Sequence, residues 1–183
     1  MATIEPALRI VVADAGPIIH LDELGCLDVL NSFTEVLIPP AVWQEIARHR
    51  PAALSASPVL KQVAVHNEPD EALRNLGLRL ALHSGELQAL QLVVEYKATL
   101  FLTDDSAARV AATQLGCELH GTVGLILRSV RCGHRTQADA IRLLEAIPTR
   151  STLHLKASLL ERVIQLVRQA SESSQTTLGE SAQ

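Results

Sequence analysis

Aromatic rings are scarce in this chain: one Trp, one Tyr and two Phe among 183 residues, too few to build a platform on which successive bases stack. Positive charge is scarce as well. With 16 Lys and Arg against 20 Asp and Glu, the formal net charge is -4, which argues against holding nucleic acid by bulk electrostatics alone. Any nucleic-acid contact has to be local, or supplied by a metal or a partner. Cys26, Cys117 and Cys132 are odd in number and widely spaced, and no cationic segment followed by a long apolar stretch marks the amino terminus. Both features predict a reduced, cytosolic compartment. No apolar run approaches the ~18 charge-free residues of a membrane-crossing helix. There is no Gly-rich phosphate loop and no Gly-x-Ser-x-Gly elbow, and His20, His49, His66 and His83 are scattered singly, so Ser/His/Asp catalysis finds no support. Cys117 with His120, and Cys132 with His134, lack paired zinc-ligand spacing.

Aliphatic residues, by contrast, are plentiful. Hydrophobic types make up 48% of the chain, enough to bury a core within one domain of this length. Short apolar runs at 9–13, 35–38, 63–65, 99–103 and 118–120 read as strands. Between them lie helical patterns: one opened by Pro17, one by Pro40, one over 71–82, one capped by Ser84 with Glu86 in its first turn, one over 106–115 closed by Gly116, and one from 122 to about 131. Residues 51–58 read as a loop. Beyond 132, Thr136-Gln137-Ala138-Asp139 resembles a capping box that opens a helix ended by Pro148. Leu155, Leu159, Leu160, Val163, Ile164, Leu166 and Val167 mark a further amphipathic helix. Residues 171–183 have almost no apolar side chain and read as disordered. The alternation predicts an α/β domain over 1–132, a parallel sheet covered by helices on both faces, and a helical extension over 133–170.

Two strands end in carboxylates. Ile10-Val11-Val12-Ala13 runs into Asp14, and Thr99-Leu100-Phe101-Leu102-Thr103 runs into Asp104-Asp105. In open α/β sheets ligands sit beyond the carboxyl ends of the strands, where the winding reverses. If the first three strands wind outward one way and the last two return on the other side, the first and fourth become neighbours. Asp14 then stands about one strand spacing, roughly 5 Å, from the pair. Carboxylates that close repel, so one takes up a proton or a cation binds between them. Hard oxygens favour Mg²⁺ or Mn²⁺ over zinc. Glu45, on the rim of the helix after Pro40, and Glu86 are the other acids placed to join this cluster.

Each acid also has a structural reading. Asp104 or Asp105 can cap the helix at Ser106, with Asp105 pairing Arg109 four residues on. Asp14 suits an Asx turn before Gly16-Pro17. A carboxylate in a first helical turn, as at Glu86, is favoured by the helix dipole. Glu45 fits an exposed helical face.

In order, Val12-Ala13-Asp14-Ala15-Gly16-Pro17-Ile18-Ile19, Ile38-Pro39-Pro40-Ala41-Val42-Trp43-Gln44-Glu45-Ile46, Gly85-Glu86-Leu87-Gln88-Ala89 and Leu102-Thr103-Asp104-Asp105-Ser106-Ala107-Ala108-Arg109 resemble the acidic motifs of the PIN-domain family. Leu115-Gly116 followed by His120-Gly121-Thr122-Val123-Gly124 is similar to the end of that fold in VapC-like prokaryotic members. The resemblance implies a three-layer α/β/α fold with strand order 3-2-1-4-5. It implies a Mg²⁺- or Mn²⁺-dependent endoribonuclease, often the toxin of a toxin–antitoxin pair with a small antitoxin partner, and often a homodimer. By position, Asp14, Glu45, Glu86 and Asp104 match the acidic quartet. Asp14, Glu86 and Asp104 match the metal ligands, with Asp105 as a supporting or alternative one. Gly16 departs from the Ser or Thr of many members, a hydroxyl that Thr103 or Ser106 can replace. Arg48, Arg79 and Arg109 are the candidate phosphate contacts. A non-enzymatic PIN-like binding module, and a DNA nuclease or other phosphoesterase on the same carboxylates, are the alternative readings.

Overall fold

Strands β1 (Val11–Ala13), β2 (Val36–Ile38) and β4 (Leu100–Leu102) in the computed structural model are three-residue runs of buried aliphatic and aromatic side chains. The structure describes residues 10–179, with the side chains of 10–169. Continuous apolar strands are what a parallel sheet covered on both faces requires. β3 (Leu60–Gln62) and β5 (Glu118–His120) carry polar residues and lie at the two edges. All neighbouring strands pair in parallel and the order is β3-β2-β1-β4-β5, so β1 and β4 are neighbours at the reversal, with Val11 opposite Leu100 and Ala13 opposite Leu102.

Helices α1 (Ala15–Glu23), α2 (Pro40–His49), α3 (Pro51–Ala56), α4 (Glu71–Leu80), α5 (Ser84–Tyr96), α6 (Ser106–Gln114) and α7 (Thr122–Arg131) connect the strands and flank the sheet. α8 (Gln137–Arg150) packs on α7 through buried Ala140, Leu144 and Ile147, and α9 (Ala157–Gly179) packs on α8 through Leu160 and Ile164. Glu23 in α1 secures the connection between them by accepting from Ser151 Oγ at 2.9 Å and from Thr152 N at 2.6 Å.

Several local expectations are corrected. The third strand is Leu60–Gln62 rather than 63–65, because only Leu60 of this edge strand turns inward and the remaining positions face solvent. Val63 still donates its N–H to Ile38 O at 2.9 Å. The expected loop at 51–58 contains α3, which Pro51 opens at a position where its missing N–H costs nothing. Pro148 does not end α8. It lies in the last turn, where the loss of one N–H removes a single intrahelical bond, and Ser151 N closes the helix onto Ile147 O at 3.1 Å. The cap of α5 is His83 rather than Ser84, and the Thr136–Asp139 capping box forms as the spacing predicts. Gly116 takes a φ of +74° after α6, the left-handed conformation that the sequence assigns to it. The backbone of α9 runs to Gly179, and residues 180–183 lie outside the described ones.

Candidate active site

The parallel ladder continues for one step past the ends of β1 and β4. Asp14 N donates to Leu102 O at 2.9 Å and Thr103 N to His120 O at 2.9 Å, which fixes Asp14 and Thr103 side by side at the carboxyl edge of the sheet. Asp14 also stands at the N-terminal boundary of α1, without a side-chain capping bond, and is only 8% exposed. Burial pushes its carboxyl up from 3.8 to about 7. The nearby charges of Glu86 and Glu45 push the same way, against hydrogen bonds from the Ala15 backbone and the Thr103 hydroxyl. Thr103 Oγ1 donates to Asp14 Oδ2 at 3.3 Å and accepts from Asp105 N at 3.1 Å, so one hydroxyl links the two strand-end acids.

Glu86 reaches this edge from the first turn of α5. Its Oε2 accepts the His83 N–H at 2.8 Å, closing the helix start. Its carboxyl is raised by burial and by the charges of Asp105 and Glu45, which outweigh the His83 backbone bond. Glu45 projects from α2, which packs on α5 beside Gly85. A Cβ there would meet Val42 Cγ2 at 3.5 Å and Glu45 Oε2 at 3.7 Å. Asp105 caps α6, accepting from Ala108 N through Oδ1 at 2.8 Å. The expected Asp105–Arg109 pair is replaced by another contact, since Arg109 Nη1 donates to Thr103 O at 3.2 Å. Asp14, Glu45, Glu86 and Asp105 therefore share one electrostatic field.

Asp104 is oriented elsewhere. Its Oδ1 accepts from Thr122 N at 2.8 Å, and its Oδ2 lies 2.6 Å from Thr122 Oγ1 and 2.8 Å from His20 Nδ1. It anchors the start of α7 and the imidazole of α1. His20 and Thr122 were not among the residues singled out from sequence for the site. The usable signals were Gly121-Thr122 directly after β5 and a histidine one helical turn after Gly16.

The donor set suits a hard divalent cation. It consists of carboxylate oxygens around an acid whose carboxyl is pushed up by burial first and by neighbouring negative charge after it. Among the described residues, no three Asp, Glu, His or Cys side chains converge closely enough to hold an ion as they stand. The fit therefore lies in the chemistry of the donors and needs rotation of the side chains toward one another.

A family model for the PIN domain matches residues 10–169. The chain belongs to the PIN-domain family. The match runs through α8 and most of α9. Among curated proteins, none matches the chain. PIN domains are in general nucleases that use divalent metal ions, and the acidic edge of this PIN domain lies where an open α/β sheet places its ligand. Among the described residues no helix is long and apolar enough to cross a membrane.

Proposed function

We propose that this PIN domain is a Mg²⁺- or Mn²⁺-dependent endoribonuclease. The observation that carries the reading is the buried Asp14 carboxyl, raised to about 7 and facing the charges of Glu86 and Glu45 at the carboxyl edge of the sheet. A fold keeps such a carboxyl in place against its own electrostatics where a function needs it. Asp14 and Glu86 would hold the cation together with Asp105, whose field reaches Glu86. The chemistry such an ion supplies is a lowered pKa for water and neutralisation of the departing oxygen.

The protein's own groups do the rest. Thr103 holds the Asp14 carboxylate in place through its hydroxyl and ties it to the Asp105 backbone. Glu45, exposed at the rim, accepts a proton from the attacking water. The pin from Thr103 O turns Arg109 toward the strand end, where its remaining N–H donors meet phosphate. The VapC-like motifs support a toxin role with a small antitoxin partner and a homodimeric assembly.

The test is cleavage of a mixed pool of structured RNAs by the full chain with Mn²⁺ or Mg²⁺, with chelator, and as Asp14→Asn. Cleavage lost with both chelator and Asp14→Asn is the expected result. Equal cleavage by wild type and variant overturns it. DNA substrates run in parallel separate a ribonuclease from a general phosphodiesterase.

A further inference from the structure

Two helices bring acids to the sheet edge, α2 with Glu45 and α5 with Glu86, so the placement of these carboxylates depends on how the helices are joined. Helix α2 starts without a cap of its own. Its boundary residue is Pro39, which makes no side-chain capping bond, and Pro40 at the first helical position has no N–H. Ala41 N is therefore the first donor of the helix. Gln88, 47 residues later, satisfies it, accepting through Oε1 at 3.1 Å. A backbone N–H only donates, so the oxygen of the Gln88 amide is the half that faces α2.

Gln88 lies three residues after Gly85, and both belong to the side of α5 turned toward α2. At Gly85 an added Cβ would meet Glu45 Oε2 at 3.7 Å, which sets the Glu45 carboxylate against the residue that precedes Glu86. Ala41 stands one helical turn before Glu45 on the same side of α2. Gln88 itself is turned away from Glu86, about 160° around the helix axis. It acts on the acids through the backbone of α2.

The tie works against a repulsion. The charge of Glu45 pushes the carboxyls of both Glu86 and Asp14 up, and the same force presses α2 away from α5. Among the described residues no other hydrogen bond joins the two helices. Apolar contact between them is non-directional, whereas a hydrogen bond holds its donor and acceptor to within about half an ångström. We propose, on the metal-dependent nuclease reading above, that Gln88 is a positioning residue. Through the first turn of α2 it sets where Glu45 stands relative to Glu86, and so tunes the hold of the acidic edge on a divalent cation.

Calorimetric titration of the full chain with Mn²⁺, beside melting in chelator, tests this. Gln88→Met keeps the length of the side chain and removes the acceptor. It should weaken Mn²⁺ binding about tenfold, the scale set by partners that orient metal ligands from behind, in a protein that still melts cooperatively. Gln88→Ala repeats the loss with no bulk to overpack. Gln88→Glu keeps an acceptor for Ala41 N and should return the affinity to within a few-fold of wild type. The readout that a merely structural role would not move is a double-mutant cycle: once Glu45→Gln has removed the carboxylate, Gln88→Met should cost little further affinity. Wild-type affinity in Gln88→Met and Gln88→Ala, the same loss in Gln88→Glu, or an equal loss with and without the Glu45 carboxylate overturns the assignment and leaves the nuclease reading standing. A wild type that binds no Mn²⁺ sinks both.

Discussion

Nδ1 of His20 lies 2.8 Å from Oδ2 of Asp104, across 84 residues of sequence, and the same carboxylate takes both the N–H and the hydroxyl of Thr122. Three donors take three of the roughly four acceptor sites of the Asp104 carboxylate. Its sequence neighbour has one oxygen in a helix cap and a field that reaches Glu86. Two adjacent acids at one strand end thus have separate roles, Asp104 bolting α1, β4 and α7 together and Asp105 facing the other acids.

The division makes the two asparagine variants differ in kind. Asp105→Asn should abolish the rise in melting temperature that Mn²⁺ gives the wild type. Asp104→Asn should retain that rise from a lower starting point, destabilised by about 1–3 kcal/mol through donors left poorly paired. Thermal melts of both variants with and without Mn²⁺ check this, and loss of the Mn²⁺ response in Asp104→Asn alone would reverse the assignment.

Gly121 is required by the same bolt. A Cβ there would stand 2.4 Å from Asp104 Oδ1 and 3.2 Å from Thr103 O, so the carboxylate would have to leave Thr122. Gly121→Ala is expected to lose roughly 1–3 kcal/mol in chemical denaturation, the usual cost of overpacking. An unchanged midpoint would show that the Asp104 contacts are dispensable.

Gly16 gives the opposite result. A Cβ at this position in the first turn of α1 would meet His20 Cε1 at 3.6 Å and Asp104 Cβ at 3.7 Å, ordinary packing distances. Gly16→Ala should therefore be tolerated and gain about 0.5–1 kcal/mol of helix stability. A loss of stability in the same denaturation series would mean that the imidazole needs that space. The hydroxyl that many PIN domains carry here is not required to hold the Asp14 carboxylate, because Thr103 Oγ1 already donates to it.

The sheet was legible because its inner strands must be apolar on both faces. Val11, Val12, Leu100 and Phe101 read as buried strands from their apolar runs, and the reversal between β1 and β4, supposed from the alternation and implied by the family resemblance, is the one the sheet has. The edge strand β3 was not legible, since Lys61 and Gln62 follow no buried pattern. Within the site, Asp14, Glu45 and Glu86 could be singled out from their positions at strand and helix ends. The separate orientations of Asp104 and Asp105 could not, because both are adjacent acids before a helix and only the partners of each, His20, Thr122 and Ala108, distinguish them. Those partners are brought in by tertiary contacts that no local spacing reveals.

Asp14 gives the last prediction, in which the sign is decisive. Its folded pKa of about 7 lies above the 3.8 expected of an exposed Asp. The folded state therefore holds the proton more tightly than the unfolded chain. The stabilisation from the protonated form is complete below about pH 4 and is lost as the pH rises through about 7, at a slope approaching 1.4 kcal/mol per pH unit within that window. Asp14→Asn removes this titration. In chelator the two proteins should melt most alike near pH 4, and the variant should become progressively more stable than wild type up to about pH 7, by a few kcal/mol at most. Glu23, Glu95 and Asp139 are shifted in the opposite direction, are common to both proteins and cancel in the difference, whereas Glu86 is shifted in the same direction as Asp14 and interacts with it, so part of the difference passes through Glu86. Mn²⁺ at pH 7.5 should raise the wild type toward or above the variant while leaving Asp14→Asn in place. A melting difference that does not change between pH 4 and pH 7 would show that Asp14 ionises freely, and the electrostatic argument for a cation at this edge would fail with it.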